Sequence, residues 1–256
     1  MHVNVQTLGK QTLKVLSHQK AVIAIAVMLF AMLFSDSNFY TSLNILNIFR
    51  VASPNLIIAF GVTLAVICRG CDLSVGSVMS LSGIVAVLLV NSGMNIYLAI
   101  LIAILAGAVI GFINGFLVVH QKTEAFIITL GMGMLVKGIS LLLTNANPVP
   151  ARGPAGFQFM MIANGSFLGI PHIMLFMLLI GAFTHWLLRY TSFGRNCYAL
   201  GGDYEVAEYS GIPVIRTKWI AFTITGTYSA IAGVLLSSYM NTGSAIYGDQ
   251  IGRAHV

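Results

Sequence analysis

Of the 256 residues in the chain, 57% are hydrophobic and only 8% are charged, whereas a soluble domain carries about a quarter charged residues. A mean hydropathy of +0.90 with a net charge of +6 describes an all-α, polytopic membrane protein. It excludes a nucleic-acid-binding protein, because the basic residues are scattered among short loops, where they report topology.

Residues 1–20 form a polar leader with Lys10, Lys14 and Lys20, and no small-residue cleavage site follows the next apolar run. The leader is expected to be cytoplasmic, ahead of a first span that stays in the membrane. A transmembrane helix needs about 20 apolar residues. Seven runs are expected to cross: residues 21–34, 51–68, 75–90, 96–119, 125–144, 171–188 and 219–240. With the leader inside, the inner segments hold Lys10, Lys14, Lys20, Arg69, Lys122, Arg189, Arg195, Arg216 and Lys218. The outer segments hold only Arg50 and Arg152, an asymmetry that supports the alternation. The outer loop 145–170, with Pro148, Pro150 and Pro154, is expected to be irregular.

Between the second and third runs lies Cys68-Arg69-Gly70-Cys71-Asp72-Leu73-Ser74-Val75-Gly76-Ser77. Asp-x-Ser before Gly predicts a helix start capped by Asp72 or Ser74. A second reading is a helix N-terminus at membrane depth that offers N–H groups to a polar solute. The Cys68-x-x-Cys71 pair lacks the second ligand pair that zinc needs, so no metal site is expected. In the fourth run Gly107, Gly111 and Gly115 share one helix face and predict a closely packed neighbour. Asn114 lies beside that face and needs a partner away from lipid, either between helices or along a pore. The Thr129 hydroxyl can be satisfied by a backbone carbonyl, so it need not touch a solute. Lys137 falls within a span, where an ammonium is costly; it is expected to snorkel.

Residues 191–218 are the longest polar interruption with helix-forming grammar. Asp203 can cap a helix over residues 204–210, and Glu205 complements the positive end of its dipole. Gly211 suits the left-handed position after the last turn, and Pro213 bars further helix. So short a helix is marginal alone, so it should dock, either on its own bundle or on a partner.

This stretch resembles the signature cytoplasmic loop of permease subunits of ribose-type sugar ABC importers. Phe193, Gly194, Arg195, Tyr198, Ala199, Gly201, Gly202, Ala207, Ser210, Gly211 and Ile212 match that pattern, while Asp203, Val206 and Glu208 depart from it. Asp72 through Ser77, the Phe112–Gly115 run and the Ala125–Gly131 run are similar to further motifs of the same family, with departures at Arg69 and Cys71. The resemblance covers the chain from the first span to about Gln250.

The resemblance implies a multi-pass permease subunit in a bacterial inner membrane, N-terminus cytoplasmic, that moves a monosaccharide or similar polar solute. By resemblance, Gly201, Gly202, Asp203, Glu205, Ala207, Ser210 and Gly211 form a coupling helix seated in a groove of the ATPase subunit. Asp72, Ser74, Asn114 and Thr129 become substrate-path candidates. The implied partners are a cytoplasmic ABC ATPase, a periplasmic sugar-binding protein, a second permease subunit (identical or homologous) and the lipid bilayer. No cofactor is implied for this chain, which lacks a Walker A pattern; ATP would sit on the partner. The rival is an ion-coupled secondary transporter or channel, which would need a charged pair deep in the bundle. An intramembrane enzyme has no constellation here, with neither H-E-x-x-H nor G-x-S-x-G present.

Family chains continue beyond this sequence, so the seven runs are expected to belong to a ten-span bundle, residues 21–250 being its incomplete permease domain. The last six residues, 251–256, are what a widely used sequencing adapter would encode, and a non-native tail is expected there.

Overall fold

A computed structural model describes residues 39–121 and 123–249, together with seven helical residues between 23 and 32. The leader, most of the first expected span and the 251–256 tail lie outside the described residues. The chain divides into residues 1–49 and 50–256. In the first unit the Asn44 side chain donates to the Phe39 carbonyl at 2.8 Å.

The elements follow in order: α1 (Ser42–Ile67), α2 (Val75–Asn91), α3 (Ile96–His120), α4 (Ala125–Thr144), β1 (Val149–Pro150), α5 (Gly153–Asn164), β2 (Ser166–Phe167), β3 (Ile170–Pro171), α6 (His172–Tyr190), α7 (Ser192–Gly202), α8 (Tyr204–Tyr209), α9 (Val214–Met240) and β4 (Thr242–Gly243). Among the described residues, α1, α3, α4, α6 and α9 are long and apolar enough to cross a membrane, and α2 is a shorter apolar helix. The fold is therefore an all-α polytopic bundle. Its helices sit where six of the seven apolar runs were expected, although α1 begins at Ser42 and α9 at Val214.

α9 is the centre of the bundle. Two-thirds of its apolar window is buried, against about a fifth for α3 and α4. The glycines of α3 explain the close approach. A Cβ added to Gly111 would lie 3.0 Å from the Gly226 Cα of α9, and one on Gly107 would lie 2.9 Å from the Gly226 carbonyl. With no Cβ on Gly107, Gly111 or Gly226, the two backbones meet directly at this crossing. The opposite edge of α3 exposes Leu101, Leu105, Val109, Phe112 and Phe116, an apolar stripe at helical spacing suited to lipid. Ile57, Met79, Ile173, Met177, Tyr228 and Leu235 form a second packed layer that joins α1, α2 and α6 to α9.

The outer connection is not irregular, contrary to expectation. Pro154 stands in the first turn of α5, where its missing N–H and fixed φ favour a helix start. Phe159 of α5 is fully buried, and its carbonyl accepts from the Ser238 hydroxyl of α9 at 2.6 Å. β1 pairs antiparallel with β4, Val149 opposite Gly243. The chain after β4 then runs back along α2, where the Gly248 N–H donates to Ser80 Oγ at 2.9 Å.

Candidate functional site

α1, α3 and α6 end, and α2, α4 and α9 begin, on the side that carries α7 and α8. The 68–74 turn at this end is built by backbone bonds. Gly70 N–H donates to Ala65 O at 2.8 Å and Arg69 N–H to Val66 O at 3.0 Å, which is the double bond pattern of a Schellman end. Arg69 holds the left-handed position with φ +54°. The turn does not stay at the rim. The Ser74 Cα would be 3.4 Å from a Cβ on Gly133, and Gly133 lies about 12 Å into α4 at 1.5 Å per residue.

This inward turn brings all four substrate-path candidates to the start of α2. Asp72 Oδ1 accepts from the Ser74 N–H at 2.9 Å and from the Ser74 hydroxyl at 2.6 Å. Of the two candidate caps, Asp72 makes this bond, while Ser74 makes no capping bond and instead accepts from Asn114 Nδ2 at 2.8 Å. Thr129 Oγ1 lies 2.8 Å from its own helix carbonyl at Ala125. It also accepts from the Leu73 N–H at 3.1 Å, pinning the turn to α4. All four side chains are sealed from solvent, with Asp72 the most exposed at 2%. Asp72 Oδ2 and Asn114 Oδ1 are buried without a hydrogen-bond partner, so the cluster retains acceptor capacity inside the bundle.

The polar stretch after α6 holds two helices, not one. α7, which the loop reading did not anticipate, begins at Thr191, whose Oγ1 accepts from the Gly194 N–H at 3.2 Å. α8 follows with its expected cap: Asp203 Oδ1 accepts from the Val206 N–H at 3.0 Å. Its end is a second Schellman pattern, with Ile212 N–H to Ala207 O at 3.1 Å and Gly211 N–H to Glu208 O at 3.0 Å. Gly211 has φ +78°. Pro213 ends nothing beyond this, since α9 starts immediately after it.

The faces of α8 divide sharply. Ala207 is buried with Cys68, Cys197, Leu200, Val214 and Ala221 of this same chain, so it seats the helix on the bundle and does not face outward. Val206 and Tyr209 are 62% and 89% exposed, and Glu205, Ser210 and Gly211 are exposed beside them. Arg69 links the two regions. Its guanidinium donates to the Gly202 carbonyl at 2.7 Å and to the Gly201 carbonyl at 3.2 Å, closing the end of α7.

Two features escaped the sequence reading. Arg69, a departure from the resembled motif that loop charge alone would assign to topology, ties the 68–74 turn to α7. Lys137 does not snorkel; it forms an ion pair with Asp249 at 2.6 Å, a partner 112 positions away. Cys68 packs against Cys197 while Cys71 is exposed, so the C-x-x-C spacing creates no joint site. Among the described residues, no cluster of three or more His, Cys, Asp or Glu could hold a metal ion.

Comparison with known proteins matches residues 44–253 to a family described as the permease component of branched-chain amino acid transport systems. The ribose import permease protein of Haemophilus influenzae is 35% identical over 93% of this chain and 74% of its own length. The D-allose transport system permease protein of Escherichia coli is 36% identical over 89% of this chain and 69% of its own. An autoinducer 2 import system permease protein of Salmonella choleraesuis is 40% identical over 73% of this chain and 57% of its own. No solved structure gives a significant match.

Proposed function

The chain belongs to the permease-component family of branched-chain amino acid transport systems, and on that premise we propose that it carries a monosaccharide or similar polar solute across the bacterial inner membrane. The sugar assignment is supported by relatives named for ribose and D-allose. In this reading the N-terminus and the α7–α8 side are cytoplasmic. Solute is delivered outside by a periplasmic binding protein, and a second permease subunit completes the pathway. The chain binds no cofactor of its own, and ATP is hydrolysed by a separate cytoplasmic subunit.

One observation carries the coupling mechanism. α8 is a capped helix seated on the bundle by Ala207, with Val206 and Tyr209 exposed on its outer side. An apolar pair presented on so short a helix suits the groove of a partner, and its removal from water would supply docking energy. Gly201, Gly202, Asp203, Glu205, Ser210 and Gly211 set the geometry of this knob. Movement of α8 by the ATPase would pull Arg69 through the Gly201 and Gly202 carbonyls, and with it the 68–74 turn. Asp72, Ser74, Asn114 and Thr129 would then open toward the solute path from their sealed arrangement.

The test is uptake of labelled D-ribose and D-allose, with leucine as competitor, in cells that express a full-length permease containing this chain with its binding protein, with and without the ATPase. ATPase-dependent sugar uptake that leucine leaves unchanged is the expected result. Uptake that persists without the ATPase would establish the ion-coupled reading instead.

A further inference from the structure

Two cysteines meet where the end of α1 touches α7. Cys68 is the first residue after α1, and Cys197 stands at the middle of α7. Both are fully buried free thiols. The Cys197 thiol donates a hydrogen bond to the Cys68 sulfur, inside a small cluster with Leu200, Ala207, Val214 and Ala221. The backbones that carry the two thiols are held together on either side of them. Gly201 of α7 lies against the Ile67 carbonyl with no room for a Cβ, and the Arg69 guanidinium donates to the Gly201 and Gly202 carbonyls.

The surroundings also bear on reactivity, because the thiolate is the nucleophile. The hydrogen bond from Cys197 favours the Cys68 thiolate, burial opposes it, and the Lys218 ammonium adds to the favourable side. Cys71, the exposed cysteine, has no such donor; burial and the Asp72 carboxylate both push its thiol up.

We propose that Cys68 and Cys197 are a redox modification site, in which oxidation joins them as a disulfide that ties α7, and the α8 seat beside it, to the end of α1. Thiols already in hydrogen-bond contact need only a small displacement to reach the S–S bond length of about 2.05 Å. The co-reactant is a two-electron oxidant such as hydrogen peroxide. The Cys68 thiolate attacks one peroxide oxygen, the O–O bond breaks, and the departing hydroxide takes up a proton, leaving Cys68 as a sulfenic acid. The Cys197 sulfur then attacks the Cys68 sulfur, the S–O bond breaks, and the Cys197 proton leaves with the hydroxyl as water. Two thiols are oxidised to one disulfide, and one peroxide is reduced to two waters. Local opening of α7 from its small seat admits the oxidant. On the cytoplasmic side thiols are kept reduced, so the tie forms under oxidative load and is released by thiol reductants. That it arrests α8 rests on the permease reading above; formation of the bond does not.

The experiment uses a purified full-length permease containing this chain, with Cys71 and any cysteine outside this sequence changed to Ser. It is treated with hydrogen peroxide or diamide, denatured, and its remaining thiols are tagged with a maleimide polymer. Untreated protein should take up a tag at both cysteines, oxidised protein at neither, and dithiothreitol should restore both. Peptide mass spectrometry should find the Cys68–Cys197 cross-link. Thiols that stay free, or that are lost without this cross-link, would overturn the proposal and leave the pair as buried filling. In a second measurement the permease is oxidised before its ATPase and binding protein are added, and uptake of labelled D-ribose and D-allose is followed. Uptake should be lost on oxidation, return with dithiothreitol, and be insensitive to oxidant in Cys68→Ala and Cys197→Ala. A complete cross-link with undiminished uptake would overturn the arrest of α8. Absence of ATPase-dependent sugar uptake before oxidation, with the cross-link still formed, would instead remove the permease reading.

Discussion

Arg69 occupies a left-handed backbone position, φ +54°, where an L side chain costs about 1–2 kcal/mol. It remains there with its guanidinium on the Gly201 and Gly202 carbonyls. Arg69→Ala keeps the strain and loses both bonds, whereas Arg69→Gly loses the bonds but relieves the strain. Thermal unfolding in detergent should therefore rank Arg69→Gly above Arg69→Ala by about 1 kcal/mol; the reverse order would show that the backbone strain is illusory. Asp203→Ala removes a cap and should cost about 1 kcal/mol, and Gly211→Val should cost about 1–2 kcal/mol at φ +78°. Asp203 and Gly211 were legible in the sequence because capping and left-handed ends are decided within a few residues. Arg69 and Lys137 were not, because their partners lie more than a hundred positions away.

Helix packing separates two kinds of glycine that look alike in the sequence. A Cβ on Gly111 would meet the backbone of Phe222 and Gly226, while one on Gly138 would meet nothing within 4 Å. Gly111→Ala should thus push α3 from α9 and lower the melting temperature. Gly138→Ala should raise stability by up to about 1 kcal/mol through helix propensity. Equal effects of the two would deny the α3–α9 seam. The small-residue spacing on α3 announced a close neighbour, but which helix fills it could not be read from α3. α5 and α7 were missed for a related reason. Pro and Gly near residues 148–154, and the polarity of residues 191–202, resemble loop composition, whereas buried Phe159 and the Thr191 cap act through tertiary contact.

Among the described residues, hydropathy runs of 16 to 24 residues placed helices of 17 to 27 residues within a few positions at most ends, since crossing a bilayer demands internally satisfied backbones. The side of the membrane on which α7 and α8 lie rests on loop charge. Glu208→Cys and Asn147→Cys, in exposed positions at opposite ends of the bundle, should label from opposite sides with an impermeant maleimide, Asn147→Cys from outside. Labelling of both from outside would reject the alternation. The substrate-path residues were individually legible as polar groups in apolar runs, but their convergence at the start of α2 depends on how deeply the 68–74 turn enters the bundle.

That α8 transmits force from an ATPase is tested most directly by changing its outer face and leaving its seat intact. Val206→Asp with Tyr209→Ala alters two exposed side chains, 62% and 89% accessible, and leaves Ala207, Asp203 and Gly211 in place. The measurement is ATPase co-purification together with sugar uptake, made in a full-length permease containing this chain, at matched membrane levels of the variant and the unaltered protein. The double variant should insert normally and lose partner binding and uptake together. Full ATPase binding with normal uptake would contradict the coupling role of α8 and leave it a helix packed on its own bundle.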